Sequence, residues 1–478
     1  MNVLDKFKNT KEKLDTISTS MCAAKWTQVT LHLGTGMTQS CHHPASHKIP
    51  LVELKRSPTA LHNTEFKKEQ RKKMLEGERP SECDYCWRVE DAHSDSVTYS
   101  DRITKSSEDW SFSQIDKIST LPWDADYYPS YVEVDFDTTC NFKCLYCSPS
   151  FSTTWMQEIK THGPIVLPGD YWHHNIEWMK DNDIMPIPAR EENPYIGAFW
   201  EWWPEAVKHM KVFRITGGEP LLSKNTFRVL DFLIENPQPQ IEFNINSNLG
   251  VPDEIISLFV TKMAEIQRKG CVKSFKLYTS NEAAGPQAEY IRFGLNYVKW
   301  TENCHKILSE IPNSHLTIMA AFNFLSIPSF AKFATDVIAM KEKYAEIHTW
   351  PHRVSLDTPY VRWPEFLAPW ILDADTMSVF EEAINHMKNV RQTGPNYYDA
   401  VKNELIATKV GFSDFEINRI ERLFYVVREE SQTITEEKLS FLRDQFVSYV
   451  DECDNRRNTN FVETFPEYVP FYNICKGI

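Results

Sequence analysis

Three cysteines in one short stretch, Cys140, Cys144 and Cys147, have the residue type and spacing for metal chemistry. Three thiolates can hold three irons of a cubane cluster and leave the fourth iron open, whereas a closed electron-transfer cluster takes four cysteines. The same trio also fits a zinc loop. A second set lies nearer the start. Cys83 and Cys86 form a C-x2-C knuckle, Cys22 and Cys41 lie upstream, and His42 and His43 directly follow Cys41. Four cysteines in separated segments close either a complete iron–sulfur cluster or a structural zinc site, and spacing leaves both open. His42 or His43 in place of Cys22 is a further arrangement. Cys271, Cys304, Cys453 and Cys475 lack nearby partners and read as ordinary thiols.

The elements around these residues follow from periodicity. Residues 131–137 alternate as a strand should and feed directly into the cysteine loop. Residues 211–216 form a second strand that runs into Gly217, Gly218, Glu219 and Pro220. The two glycines leave room for a ligand to approach the backbone, and exposed carbonyls with Glu219 can hold an ammonium group. Beyond them, strands at 241–246, 272–279, 316–322 and 353–357 alternate with helices at 226–235, 253–269, 288–308 (mostly helical) and 330–344. Six strands separated by helices form parallel βα units with right-handed crossovers, whose chemistry sits at the C-terminal strand ends. Both motifs are there.

Cys140-Asn141-Phe142-Lys143-Cys144-Leu145-Tyr146-Cys147, with Tyr146 just before the last cysteine, resembles the signature of the radical S-adenosylmethionine (radical SAM) superfamily. The resemblance implies a partial six-stranded (β/α) barrel within the α/β class. It implies a four-iron, four-sulfur cluster on Cys140, Cys144 and Cys147, with the amino and carboxylate groups of SAM on the open iron. Such a cluster, fed by a reductant such as flavodoxin or ferredoxin, cleaves SAM to a 5′-deoxyadenosyl radical that takes hydrogen from a substrate. By the same resemblance Gly217, Gly218 and Glu219 receive the SAM amino group, and Ser247 and Asn248 help to hold SAM. Ser280 and Arg292 are candidates for its carboxylate; Glu282 and Ala283 stand where the family has aspartate and glycine. Asn244 and Asn323 are weaker polar candidates at strand positions.

Residues 75–90, around Cys83 and Cys86, resemble the twitch domain, a shortened relative of the SPASM auxiliary-cluster domain. This implies a second, auxiliary four-iron cluster on Cys22, Cys41, Cys83 and Cys86, with zinc as the other reading. In the better known relatives this domain follows the barrel; here it precedes it. Relatives with such clusters modify peptides and proteins, or small molecules, and the sequence does not choose between these substrates. A non-catalytic iron–sulfur carrier is a third class, disfavoured because a pure electron carrier needs no site for the SAM amino group.

The organisation expected is a twitch-like cysteine-rich segment over 1–125, a radical SAM core over 126–372 and a helical region over 373–478, with helices at 377–390, 415–428 and 436–450. An insertion at 160–209 carries Trp172, Trp178, Trp200, Trp202 and Trp203. It reads either as local core built from large rings or as a wall over the barrel mouth. Of 478 residues, 42% are apolar and 25% charged, which allows a sizeable core. A net charge of −14 argues against non-specific adhesion to nucleic acid or anionic membrane. No apolar run is long enough to span a bilayer, and residues 1–20 lack the apolar core of an export signal. Eleven cysteines clustered at turns and strand ends suggest metal rather than disulfides, and hence the reducing cytoplasm.

Overall fold

Side chains that alternate between apolar and polar give the central strands two unlike faces. The strands are β1 (Gln28–His32), β2 (Met37–Gln39), β3 (His47–Lys48), β4 (Tyr131–Asp135), β5 (Lys143–Cys144) and β6 (Val212–Thr216). They continue with β7 (Gln238–Ser247), β8 (Val272–Ser280), β9 (Arg292–Phe293), β10 (Ser314–Met319) and β11 (Val354–Asp357). The computed structural model describes residues 3–92, 99–188, 190–345, 353–372, 374–391 and 410–477.

Nine strands form one sheet in the order β11-β10-β8-β7-β6-β4-β1-β2-β3. Neighbours from β11 through β1 are parallel, and only β2 and β3 run antiparallel. All six expected strands are present and adjacent in chain order. No closed barrel forms among the described residues: the free edge of β4 is taken by β1, in the register Gln28↔Tyr131 through His32↔Asp135. The segment 1–125 therefore contributes a strand to the main sheet. It also has a small core of its own around Trp26, Met74, Trp87 and Ile103, with Cys22 and Cys83 packed against it.

On one face, Val134, Ile215, Phe243, Ile245, Phe275 and Leu277 are buried in the main core with the helices Lys224–Glu235, Asp253–Arg268 and Tyr297–Glu310. The other face is polar and half-exposed, carrying Glu133, Arg214, Asn244, Asn246, Lys276 and Tyr278. A parallel sheet covered on both sides is apolar on both. This one is apolar on one face and polar on the other.

One difference bears on the site. The stretch 288–308 is not one helix: β9 separates the helices Gly285–Ile291 and Tyr297–Glu310 and pairs antiparallel with β5 of the cysteine loop. Gly294, at φ +111°, makes the turn possible; a Cβ there would lie 2.9 Å from the Asn141 carbonyl oxygen. At the C-terminal end the helices Ala374–Asn389, Asp414–Thr433 and Glu436–Arg457 form as expected, and Val469–Lys476 adds another. Residues 392–409 of the expected helical region lie outside the described residues. No helix among the described residues is long and apolar enough to cross a membrane.

Candidate active site and cysteine cavity

The cysteine loop leaves the C-terminal end of β4 and is held by its own backbone. Four consecutive carbonyls each accept a side-chain hydrogen bond. The Trp155 indole donates to Cys144 at 2.9 Å and the Tyr449 hydroxyl to Leu145 at 2.6 Å. His173 Nε2–H donates to Tyr146 at 3.4 Å and His174 Nε2–H to Cys147 at 2.9 Å. His174 is neutral, since burial pushes its pKa far down, and its Nδ1 accepts from the Tyr171 hydroxyl at 2.7 Å. A buried loop must find partners for its backbone groups. Here they come from the helix Thr153–His162, the tryptophan-rich insertion and the helix Glu436–Arg457. None of the four donors was a sequence candidate, because their role depends on chain segments far apart.

Burial raises all three thiol pKa values, that of Cys140 to about 12. Cys144 raises those of Cys140 and Cys147 further by its charge, so the three sulfurs lie within electrostatic reach of one another. Arg292 opposes the rise at Cys144, with Nη1 at 3.7 Å from the sulfur. Thiols in this condition keep their protons at neutral pH, and metal loading must release them.

The glycine loop lies directly beside. The Glu219 amide donates to the Thr139 carbonyl at 2.6 Å. A Cβ on Gly218 would sit 2.4 Å from that oxygen, and one on Gly217, at φ +129°, 3.0 Å from Asp135 Cβ. The glycines thus make room for the cysteine loop, and both also line a neighbouring cavity. Glu219 is also more enclosed than expected: it is 1% exposed and accepts from Ser247 Oγ (2.8 Å), the Asn248 amide (2.6 Å) and the Leu221 amide (3.0 Å). Burial nevertheless raises its pKa to about 7 against those bonds. Three acceptor positions are filled, so an ammonium would have to share what remains. Asn248 links this loop to the cysteines through Asn141 Oδ1 at 3.0 Å, with Cys140 Sγ at 4.0 Å.

Arg292 is placed differently from both a ligand fork and a surface ion pair. Its Nε and Nη2 donate to Glu282 Oε2 at 2.9 and 2.6 Å, and both residues are buried. Tyr146 donates to the other Glu282 oxygen at 3.0 Å. Glu282, noted in the sequence only as a departure from the family pattern, is the anchor that ties Tyr146 and Arg292 together behind Cys144. Ser280 ends β8 opposite Met319 of β10. Asn323 is structural, capping the turn Phe324–Ser326. On the polar face, Arg214 donates to Asn246 at 3.0 Å, lies 3.7 Å from Glu133 and covers the Tyr278 ring at 4.3 Å. The alternation of these residues with apolar ones was visible, but the charge network was not.

The N-terminal cysteines meet. Cys22, Cys41, Cys83 and Cys86 all line one small cavity. Burial raises the Cys83 pKa to about 11 and that of Cys86 to about 12, and at Cys86 the other three cysteines add to the rise. Cations surround them. Lys25 Nζ lies 3.6 Å from Cys83 Sγ and pairs with Glu82. Arg102 donates to Glu90 at 2.8 Å and to the Met21 carbonyl at 2.7 Å, and Lys105 also lines the cavity. His43 reaches the cavity but is engaged by Asp101 at 2.6 Å and stacked on Tyr85 at 3.8 Å. His42 faces Gln28 instead, at 3.3 Å. Among the described residues, no group of three His, Cys, Asp or Glu side chains converges closely enough for a single metal ion.

The insertion divides. Trp202 and Trp203 are core, while Trp172 and Trp178 line a second cavity at the ends of β1 and β4. Comparison with family models, curated proteins and solved structures returns no match.

Proposed function

We propose that this chain is a cytoplasmic radical SAM enzyme that takes hydrogen from an organic substrate, with a partial-barrel core and an auxiliary iron–sulfur cluster in its N-terminal segment. One observation carries the reading: the three-cysteine loop and the glycine loop lie side by side at the C-terminal ends of the adjacent strands β4 and β6, joined by the Glu219–Thr139 hydrogen bond. The donor set supports a cluster on both sites. Cubane ligands each bind a different iron, so their sulfurs surround a body instead of converging on a point. A tetrahedral zinc site would need four sulfurs about 2.3 Å from one centre. Four cysteines that do not converge on a point, ringed by Lys25, Arg102 and Lys105, suit the larger and negatively charged body.

When bound, the cluster on Cys140, Cys144 and Cys147 and the SAM beside it would supply one-electron cleavage of the sulfonium. The chain's own share is positioning. The carbonyl clamp fixes the loop, Arg292 places positive charge at Cys144, and Asn248 and Glu219 fix the neighbouring wall. Anaerobic reconstitution with iron and sulfide, followed by SAM and a reductant, tests the reading. About eight irons per chain and release of 5′-deoxyadenosine are expected. About four irons with stoichiometric zinc would overturn the auxiliary cluster, and absence of 5′-deoxyadenosine from the iron-loaded protein would overturn the enzyme.

A further inference from the structure

The cavity lined by Trp172 and Trp178 has a volume of about 230 Å3, room for a small organic ligand below drug size. It forms where the N-terminal hairpin, the insertion and the two motif loops converge: His32 ends β1, Asp135 ends β4, and Gly217 and Gly218 follow β6. Its chemistry is lopsided. Asp135 and Asp137 line it, and no lysine or arginine does. His32 Nδ1 pairs with Asp135, whose carboxylate raises the imidazole pKa against the effect of burial. Two carboxylates thus face a single paired imidazole, and Asp137, held by the Thr139 amide at 3.0 Å and Ser223 Oγ at 2.7 Å, carries the excess negative charge. Opposite stands an aromatic wall, with Trp172 stacked on Trp178 at 4.3 Å and on Trp363 at 5.2 Å. Tryptophan faces attract cations, and a carboxylate within the same pocket strengthens that preference. Phosphate- and carboxylate-bearing ligands would enter without a counter-charge, which is costly where water is partly excluded.

We infer that this cavity binds an organic amine, with its ammonium toward Asp135 and Asp137 and its apolar or aromatic body on Trp172 and Trp178. As a substrate assignment it rests on the radical SAM reading; as a binding site it does not. The amine is either a free small molecule or a lysine side chain presented by a peptide.

Calorimetric titration of the anaerobically reconstituted protein separates these cases. The probes are tryptamine, indole-3-acetate, which presents the same ring with the opposite charge, and acetyl-Gly-Lys-Gly-amide. Tryptamine or the lysine peptide should bind at least about tenfold more tightly than indole-3-acetate, and the better of the two identifies the source. Asp137→Asn and, separately, Trp178→Ala should each weaken that binding by about tenfold. Trp178→Ala keeps the test sound if Asp137→Asn disturbs the bonds to Thr139 and Ser223 and folding. Equal affinity for the anion, insensitivity to Trp178→Ala, or no binding of any probe at millimolar concentration would overturn the inference. SAM cleavage by the same preparation is scored in parallel. Cleavage without amine binding removes only this assignment, and amine binding without cleavage removes only the enzyme.

Discussion

Cys22, Cys41, Cys83 and Cys86 reach their cavity from separate stretches of chain, whereas Cys140, Cys144 and Cys147 leave a single loop. The first site is ringed by buried or half-buried cations and rests on its own small core. The second has Arg292, itself committed to Glu282, beside Cys144 and Arg457 farther off, and its loop is gripped through backbone carbonyls. Four cysteines gathered from separate segments cross-link a module, so metal there contributes folding free energy. Three on one loop cross-link little; their exact placement must come from the surrounding fold, and the site keeps a position to offer. On the proposed function, the comparison sets a structural or electron-storing site against a ligand-accepting one.

Its sharpest break is a pair of cysteine substitutions. Cys144→Ala should abolish SAM cleavage, while Cys86→Ala should leave uncoupled 5′-deoxyadenosine release measurable by chromatography. Release that persists in Cys144→Ala would remove the distinction between the sites. A Cys86→Ala protein that loses both iron sets and aggregates would show the N-terminal site to be chiefly structural.

Arg292 gives the next largest effect. Arg292→Ala leaves Glu282 buried without its counter-charge, at a cost of about 3–5 kcal/mol in unfolding free energy. The double change Arg292→Leu with Glu282→Leu should recover most of it, because the desolvation penalty disappears with the pair. Urea denaturation of both variants decides. A near-neutral Arg292→Ala would mean that the guanidinium is available to a ligand instead.

How much of this was readable beforehand depends on the kind of signal. The six strands from Tyr131 and their helices were legible because alternation and helical periodicity are local. β1 was missed although Gln28, Thr30 and His32 alternate with Val29 and Leu31; what was hidden is its parallel pairing with β4, a distant segment, which buries four of its five residues. The gathering of Cys22 and Cys41 with Cys83 and Cys86 could be anticipated from residue type. The roles of Arg292, Glu282, His173, His174 and Tyr449 could not, since each depends on a partner from another segment. Arg292 and Glu282 are ten residues apart and separated by a helix, which hides the pair from any short-range rule.

Glu219 tests whether the ligand-accepting side carries a titrating wall. Its proton is held to about 7 in the folded chain, against 4.5 ordinarily. Below the lower value both states are protonated and there is no penalty. Between the two the unfolded chain ionises first, so stability falls as pH rises; above the higher one the penalty is constant, on the order of 3 kcal/mol. Glu219→Gln should remove that slope, read as a smaller stability difference between about pH 5 and about pH 8 than in the parent chain. Identical pH profiles would show that Glu219 contributes no linkage.

The smallest effect is the most selective. Tyr449 stands some three hundred residues from the cysteine loop in sequence, yet its hydroxyl is the donor to Leu145. Tyr449→Phe keeps the ring, which packs on Phe366 at 5.0 Å, and deletes that bond together with the hydroxyl's interaction with the Cys453 thiol. A buried carbonyl left without its donor costs about 1–2 kcal/mol. Local opening of the cysteine loop should become correspondingly easier, by roughly five- to thirtyfold. Amide hydrogen exchange reads this directly. Leu145 and Cys147, whose amides bond to Ile291 and Cys144, should exchange faster, while residues 83–87 of the N-terminal site should not change. Equal acceleration at both sites would mean that the two cysteine sites share one cooperative unit. No acceleration at either would mean that the helix Glu436–Arg457 packs on the loop without holding it.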